Sequence, residues 1–186
     1  MSKDKQYFAI VGKDLLPFLY DKDQSVISWK GKNVPNDYLD LQVPINDVDA
    51  VFFQGNNCLL TANADRNIRI YDVRSRNRKP TGNYPLKLMN EKCSLAKLGV
   101  SADQKDFYVG NMEGGIYELD LRKNCSIVGK FKGINSTVSG IEVTNNFLIS
   151  SSLDGYLRCY DKSDKKLVHK KYLGVTPTAL CLTPTF

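Results

Sequence analysis

Apolar and polar positions in this chain recur on a template fourteen residues long. The segment "LLTANADRNIRIYD", residues 59–72, aligns without gaps with "FAIVGKDLLPFLYD" from Phe8, "FYVGNMEGGIYELD" from Phe107 and "LISSSLDGYLRCYD" from Leu148. Each copy opens with apolar residues and carries an acid at its seventh position, namely Asp14, Asp65, Glu113 and Asp154. Each closes on a bulky residue and an Asp: Tyr20-Asp21, Tyr71-Asp72, Leu119-Asp120 and Tyr160-Asp161. Apolar residues before the acid and alternation after it, as in "IRIYD", predict two strands joined by a tight turn. The Asp, Asn and Gly of "ADRN", "MEGG" and "LDGY" tolerate the positive φ that such a turn demands.

The segments between copies supply further strands. After each hairpin comes an outer-strand candidate: "SVISWKG", "YPLKLM", "SIVGKFKG" and "LVHKKYLG". Then follows an apolar strand suited to the centre of a ring: "VDAVFF", "SLAKLGV", "VSGIEV" and finally "TALCLT", residues 178–183. The copies start 51, 48 and 41 residues apart, and spacings of about 40–50 with strand-like sequence indicate propeller blades. Helices have almost no place in this pattern.

The order of strands resembles WD40 repeats, whose blades run from the centre outward. The repeated acid matches the turn Asp of that family, and the terminal Tyr-Asp or Leu-Asp stands where Trp-Asp usually sits. The resemblance implies a hydrogen-bonded network of His, Ser or Thr, turn Asp and Trp. No Gly-His dipeptide occurs and the sole His169 falls in an outer strand, so the network is expected to be incomplete in every blade. Tyr20, Tyr71 and Tyr160 supply a large ring and a hydroxyl, and Leu119 does not. The fold expected is thus all-β: a WD40-type β-propeller with about four blades' worth of four-stranded antiparallel sheet. The first repeat lacks an inner strand. Residues 178–183 either complete it and close a four-bladed ring, removing two unpaired edges, or the chain is the C-terminal part of a seven-bladed propeller. The second reading is preferred because blades of this type usually form larger rings. It predicts exposed ring-facing apolar surface and self-association.

Composition narrows the classes. The chain has 186 residues, 42% apolar, a mean hydropathy of −0.33 and a net charge of +6 with pI near 9.0. It reads as soluble, with no apolar run near the roughly 18 residues that cross a bilayer, so no membrane partner is expected and a cytosolic or nuclear place is the default. Five cysteines without a CxxC spacing read as small residues in strands and turns. The basic balance suits acidic partners, nucleic acid foremost, with two concentrations: "RSRNRK" from Arg74 to Lys79, and lysines 162, 165, 166, 170 and 171. No G-x-S-x-G, H-E-x-x-H, G-x-x-x-x-G-K-[ST] or G-x-G-x-x-G motif occurs, so no enzyme, metal or cofactor is expected.

The least repetitive part is "WKGKNVPNDYLDLQVPINDVDAVFF", Trp29 to Phe53. Its loop, residues 30–47, mixes Asn33, Asn36, Asp37 and Asp40 with Val34, Tyr38, Leu39 and Leu41. Irregular loops on rigid scaffolds are where binding is placed, although such a loop also serves as a plug over the ring opening. The segment closely resembles the "KNxxNDxLDLxVPI" signature of the WD repeat-containing protein 74 family, also described as Nop-seven-associated WD-repeat ribosome assembly factors. The likeness continues through "VGNMEGGIYELDLR", "FKGINSTVSGIEV", "LDGYLRCYD" and "HKKYLGVTPTALCL".

That resemblance implies a non-catalytic nucleolar or nuclear scaffold on precursors of the large (60S) ribosomal subunit, with assembly factors as partners and release by an AAA-type ATPase. The alternatives are a charge-driven RNA-binding propeller, touching ribosomal RNA through Arg74, Arg76, Arg78 and Lys79, or a WD40 interaction module outside ribosome assembly. The partner surface expected is Lys32, Asn33, Asn36, Asp37, Tyr38 and Asp40, with Arg66 beside them. Tyr38 would act as anchor, amides and acids would fix orientation, and bases would meet phosphate. The equal alternative is that Asp37 and Asp40 cap the loop internally, leaving only its apolar residues to a partner. The four residues from Arg74 to Lys79 are expected at an outer turn on the face opposite the loop.

Overall fold

Each of the four repeated segments folds as an antiparallel hairpin, because its two half-buried runs are separated by residues that accept left-handed backbone. The computed structural model describes residues 6–87, 93–101 and 103–182. The chain divides into two units, residues 1–87 and 88–186. Neither contains an α-helix among the described residues.

The first unit holds two sheets. One is three-stranded, β1 (Tyr7–Gly12), β2 (Leu15–Asp21) and β3 (Val26–Lys30) in that order. The other is four-stranded, β4 (Asp47–Phe53), β5 (Cys58–Asn63), β6 (Asn67–Asp72) and β7 (Gly82–Pro85). Leu19 and Trp29 of the first sheet pack on Phe52, Leu59 and Tyr71 of the second. The Trp29 ring meets Tyr71 edge-on with centroids 5.7 Å apart, a contact worth about 1 kcal/mol beyond its area. Tyr20 occupies the place on β2 that Tyr71 holds on β6, but it sits on the opposite face from Leu19. There Phe8 and Ile10 remain 37% and 38% exposed.

The second unit holds two four-stranded sheets. The first runs β8 (Leu95–Val100), β9 (Phe107–Asn111), β10 (Ile116–Asp120) and β11 (Ser126–Phe131). The second runs β12 (Val138–Val143), β13 (Phe147–Ser152), β14 (Tyr156–Asp161) and β15 (Leu167–Tyr172). Tyr108, Ile116, Phe131, Ile134, Val138, Ile141, Leu148 and Tyr160 share one core. Gly114, at φ +88°, lets the turn after β9 sit against the Ile134 carbonyl, 2.6 Å from where a Cβ would stand.

Two features of the repeat acquire physical causes. The terminal Asp of each copy closes the following turn, its carboxylate accepting the backbone N–H two residues on: Asp23 at 2.9 Å, Arg74 at 2.9 Å, Arg122 at 2.9 Å and Ser163 at 2.8 Å. The seventh-position acid has no common role. Asp154 builds a network. Arg158, 2% exposed, donates to its carboxylate at 3.1 and 2.5 Å and to Ser152 Oγ at 2.7 Å.

Around Asp154 a guanidinium from the adjacent strand joins the acid and the serine, with no His in the set. The Tyr71 and Tyr160 rings are buried as expected, and the Tyr160 hydroxyl has no hydrogen-bond partner among the described residues.

Two strand boundaries also differ from expectation. The outer strand sought at 84–89 is Gly82–Pro85, because the Tyr84 ring folds over Gly82 and the Leu86 N–H turns to the Arg66 carbonyl at 2.8 Å. Residues 88–89 lie outside the described residues. Residues 178–182, expected as an inner strand, form none. Leu180 instead lies over β12, its Cβ 2.6 Å from where a Gly140 Cβ would stand. Thr183 lies outside the described residues.

Candidate functional site

The long loop leaves β3 at its end and is pinned at both feet. Gly31 N–H donates to the Pro17 carbonyl at 2.8 Å, and Lys32 N–H to the Arg78 carbonyl at 2.8 Å. At the far foot the Ile45 carbonyl accepts from Asp14 N–H, and the Asn46 carbonyl from Ala64 N–H, both at 2.8 Å. Fixed feet make the loop a rigid projection rather than a slack connection.

Asn33 is half-buried and bonded across the loop. Its Nδ2 donates to the Val43 carbonyl at 2.7 Å, while its Oδ1 accepts from Val34 N–H at 2.9 Å and from Arg69 Nη1 at 3.5 Å. Asn33 is therefore a clamp across the loop's base, resting on a buried guanidinium.

The tip, residues 36–41, is closed by its own polar side chains. The Asp37 carboxylate accepts from the N–H groups of Leu39 and Leu41, each at 2.9 Å. Asn36 Nδ2 donates to the Asp40 carboxylate at 2.9 Å and to its carbonyl at 3.1 Å. Asp40 itself holds φ +59°. With the polar groups committed inward, the apolar ones point to solvent: Tyr38 is 93% exposed, Leu39 61% and Leu41 59%. Three apolar side chains on a self-closed turn form a preorganised knob. Preorganisation of this kind lowers the ordering cost of binding. Leu39 and Leu41 are not in the expected contact set, but the internal capping by Asp37 and Asp40 is the alternative weighed for this loop, in which its apolar residues are left to a partner.

The basic stretch is not on an opposite face in its entirety. Arg74 lies at the turn after β6, held to Asp72 at 3.1 Å. The stretch then climbs until its Arg78 carbonyl bonds Lys32 N–H, so it and the long loop are continuous. Arg76, Arg78 and Lys79 are exposed, with no carboxylate within 4 Å among the described residues. Arg66, at φ +67°, belongs to the turn that bonds Asn46, and thus stands by the loop's far foot rather than its tip.

Beneath the loop lies a buried polar cluster of Asp47, Thr61, Asn63, Arg69 and Tyr71, each at most 2% exposed. Burial raises the Asp47 carboxyl to about 6, against the lowering effect of Arg69. Among the described residues, no three His, Cys, Asp or Glu side chains gather into a metal-binding group.

Residues 125–161 match the family described as WD domain, G-beta repeat. The chain is similar to WD repeat-containing protein 74 of Homo sapiens, 35% identical over 163 residues, covering 83% of this chain and 40% of that protein. The Mus musculus protein of the same name is 33% identical over the same shares. Ribosome biogenesis protein NSA1 of Meyerozyma guilliermondii is 28% identical over 169 residues, 80% of this chain and 42% of that protein. The chain thus spans about two fifths of the length of these curated relatives.

Proposed function

From a WD40-type β-propeller chain that shares the sequence pattern of the WD repeat-containing protein 74 family, we propose a non-catalytic scaffold that acts in ribosome biogenesis. Its targets are precursors of the large (60S) subunit and their assembly factors, its place the nucleolus, and its release the work of an AAA-type ATPase. The observation that carries the reading is the knob of Tyr38, Leu39 and Leu41, fully formed before any partner arrives. An exposed aromatic flanked by two leucines fits a hydrophobic pocket on a partner protein, where aromatic anchors dominate the binding energy.

Lys32, Arg76, Arg78 and Lys79 give the same surface a basic margin. They suit acidic rims or RNA phosphates and speed encounter more than they add affinity. In this reading Asn36, Asp37 and Asp40 serve the surface indirectly, by holding the knob's shape.

The test is affinity purification of the tagged protein from cells beside a Tyr38→Ala/Leu39→Ala/Leu41→Ala variant, with identification of bound protein and RNA. Recovery of large-subunit precursors by the unchanged protein, lost in a variant with unchanged circular dichroism, is expected. If the folded, unchanged protein recovers no ribosomal precursors, the assembly role is refuted. If the triple variant recovers them undiminished, the knob is not the contact.

A further inference from the structure

The outer edge of the second unit carries a surface that the scaffold reading leaves unused. All six residues of β15 are exposed. On one face Tyr172 stands opposite Tyr156 in the ladder, their rings 5.0 Å apart and tilted by 51°. Lys170 Nζ sits 4.0 Å above the Tyr156 ring and the Arg158 guanidinium 5.1 Å from it. Gly155 makes the arrangement possible, since a Cβ there would stand 2.9 Å from the Tyr172 ring. Tyr156 is thus saturated with cations, whereas Tyr172 keeps 62% of its surface open.

The lysine cluster noted in the sequence divides around this pair of rings. Lys162 is neutralised by Asp106 at 2.8 Å and Lys165 by Glu118 at 2.6 Å, while Lys166 reaches Asp164 at 3.6 Å. Lys170 and Lys171 have no carboxylate within 4 Å among the described residues. Of these two, Lys170 shares the face of the open aromatic ring, and Lys171, paired with Leu157 in the ladder, lies on the other face of the sheet.

We propose that this edge is a stacking platform for single-stranded RNA, with a base laid on the open face of Tyr172 and the adjoining phosphate meeting Lys170. The chemistry favours a nucleic acid strand because a flat π-surface bordered by an unpaired cation matches alternating base and phosphate. A duplex keeps its bases stacked internally and offers nothing to Tyr172. The inference does not rest on the ribosomal assignment, since a stacking platform binds a strand whatever RNA supplies it.

The experiment measures fluorescence anisotropy of labelled dodecauridine RNA, the matching single-stranded DNA and a duplex RNA against the full chain, over a salt series. Tyr172→Ala should weaken binding of the RNA strand about tenfold and Tyr172→Phe should leave it within about twofold, as stacking contributions predict. Lys170→Gln should reduce the salt slope by about 0.7, the value for one phosphate contact on a single strand. The triple variant Arg76→Ala/Arg78→Ala/Lys79→Ala should weaken the RNA strand less than Tyr172→Ala does. Because no group on this face is set to read a 2′-hydroxyl, the DNA strand should bind within a few-fold of the RNA. Four results would each overturn the proposal: no binding of the RNA strand, undiminished binding by folded Tyr172→Ala, duplex binding as tight as the single strand, or a loss seen only in the arginine loop variant.

Discussion

Replacing Asp154 by Ala should destabilise its sheet by about 3 kcal/mol, whereas Asp65→Ala, at the same place in another copy of the repeat, should cost less than about 0.5 kcal/mol. The difference comes from the neighbours. Arg158 is 2% exposed and gives two charge-assisted hydrogen bonds to Asp154, at 3.1 and 2.5 Å, keeping only Ser152 Oγ when the carboxylate is gone. Bonds to charged groups contribute about 1.5–3 kcal/mol each. The Asp154 side chain is 23% exposed, so water re-solvates part of the guanidinium and the lower end applies. Asp65 is exposed and its carboxylate bonds no side chain. Its turn is closed instead by the Asn63 amide oxygen, which accepts Asp65 N–H at 2.8 Å.

Hydrogen exchange of peptides covering β13 to β15 reads the effect locally. A cost of 3 kcal/mol corresponds to exchange about 150-fold faster where β14 amides open with the sheet. The acid limb supplies a second readout. Hydrogen bonds from Arg158 and then Ser152 lower the Asp154 carboxyl from 3.8 to about 2. Its folded value lies below the unfolded one, so its contribution is full above about pH 4 and is lost as pH falls towards 2. Asp154→Ala should lack that part of the decline. Equal effects of the two substitutions, or an Asp154→Ala change under about threefold in exchange, would refute the argument.

Burial lifts the Asp47 carboxyl from 3.8 to about 6. A folded value above the unfolded one makes stability fall as pH rises between about 4 and 6, and Asp47→Asn should flatten that slope in urea unfolding followed by Trp29 fluorescence. Gly114→Ala combines φ +88° with a Cβ 2.6 Å from the Ile134 carbonyl oxygen. It should cost more than about 2 kcal/mol in chemical denaturation, whereas Gly174→Ala, at φ +75° in open space, should cost about 1 kcal/mol. Asp37→Ala removes the acceptor of two backbone N–H groups at the loop tip. It should speed exchange at Leu39 and Leu41 severalfold without moving the global unfolding midpoint.

The hairpins were legible because strand pairing within a copy is local. Apolar runs on both sides of the turn acid fix which residues face each other, and the ladder pairs Leu59 with Tyr71 and Leu148 with Tyr160, as equal spacing requires. The Asp154 network lies outside the His-centred pattern of the family, since an arginine supplies its donors. That arginine was visible in the pattern all the same, since Arg69 and Arg158 stand at the same position of their copies, two before a buried Tyr. An arginine on the inward parity of a strand implies a buried countercharge or acceptor. The segment at 178–182 shows the opposite failure. Its composition suits a strand, but a strand also needs an edge to pair with, and that is a property of neighbours rather than of the segment.

The candidate surfaces follow one rule that a count of charges misses. In the loop tip, Asn36, Asp37 and Asp40 look like recognition groups, yet one another and backbone groups within five residues consume them. Along the β14–β15 edge, Lys162 and Lys165 look like part of a basic stripe, yet Asp106 and Glu118 consume those. What remains for a partner is the residue left over after internal satisfaction: Tyr38, Leu39 and Leu41 in one place, Tyr172 and Lys170 in the other. Local polar groups are the first to find each other because short separations cost little loop entropy, so polar residues near a turn are poor markers of a binding site. An apolar or aromatic side chain stranded among them is the better one. By that criterion Tyr38 and Tyr172, 93% and 62% exposed, mark two separable contacts, and a Tyr38→Ala change that weakened single-stranded RNA binding as much as Tyr172→Ala would show the criterion to be wrong.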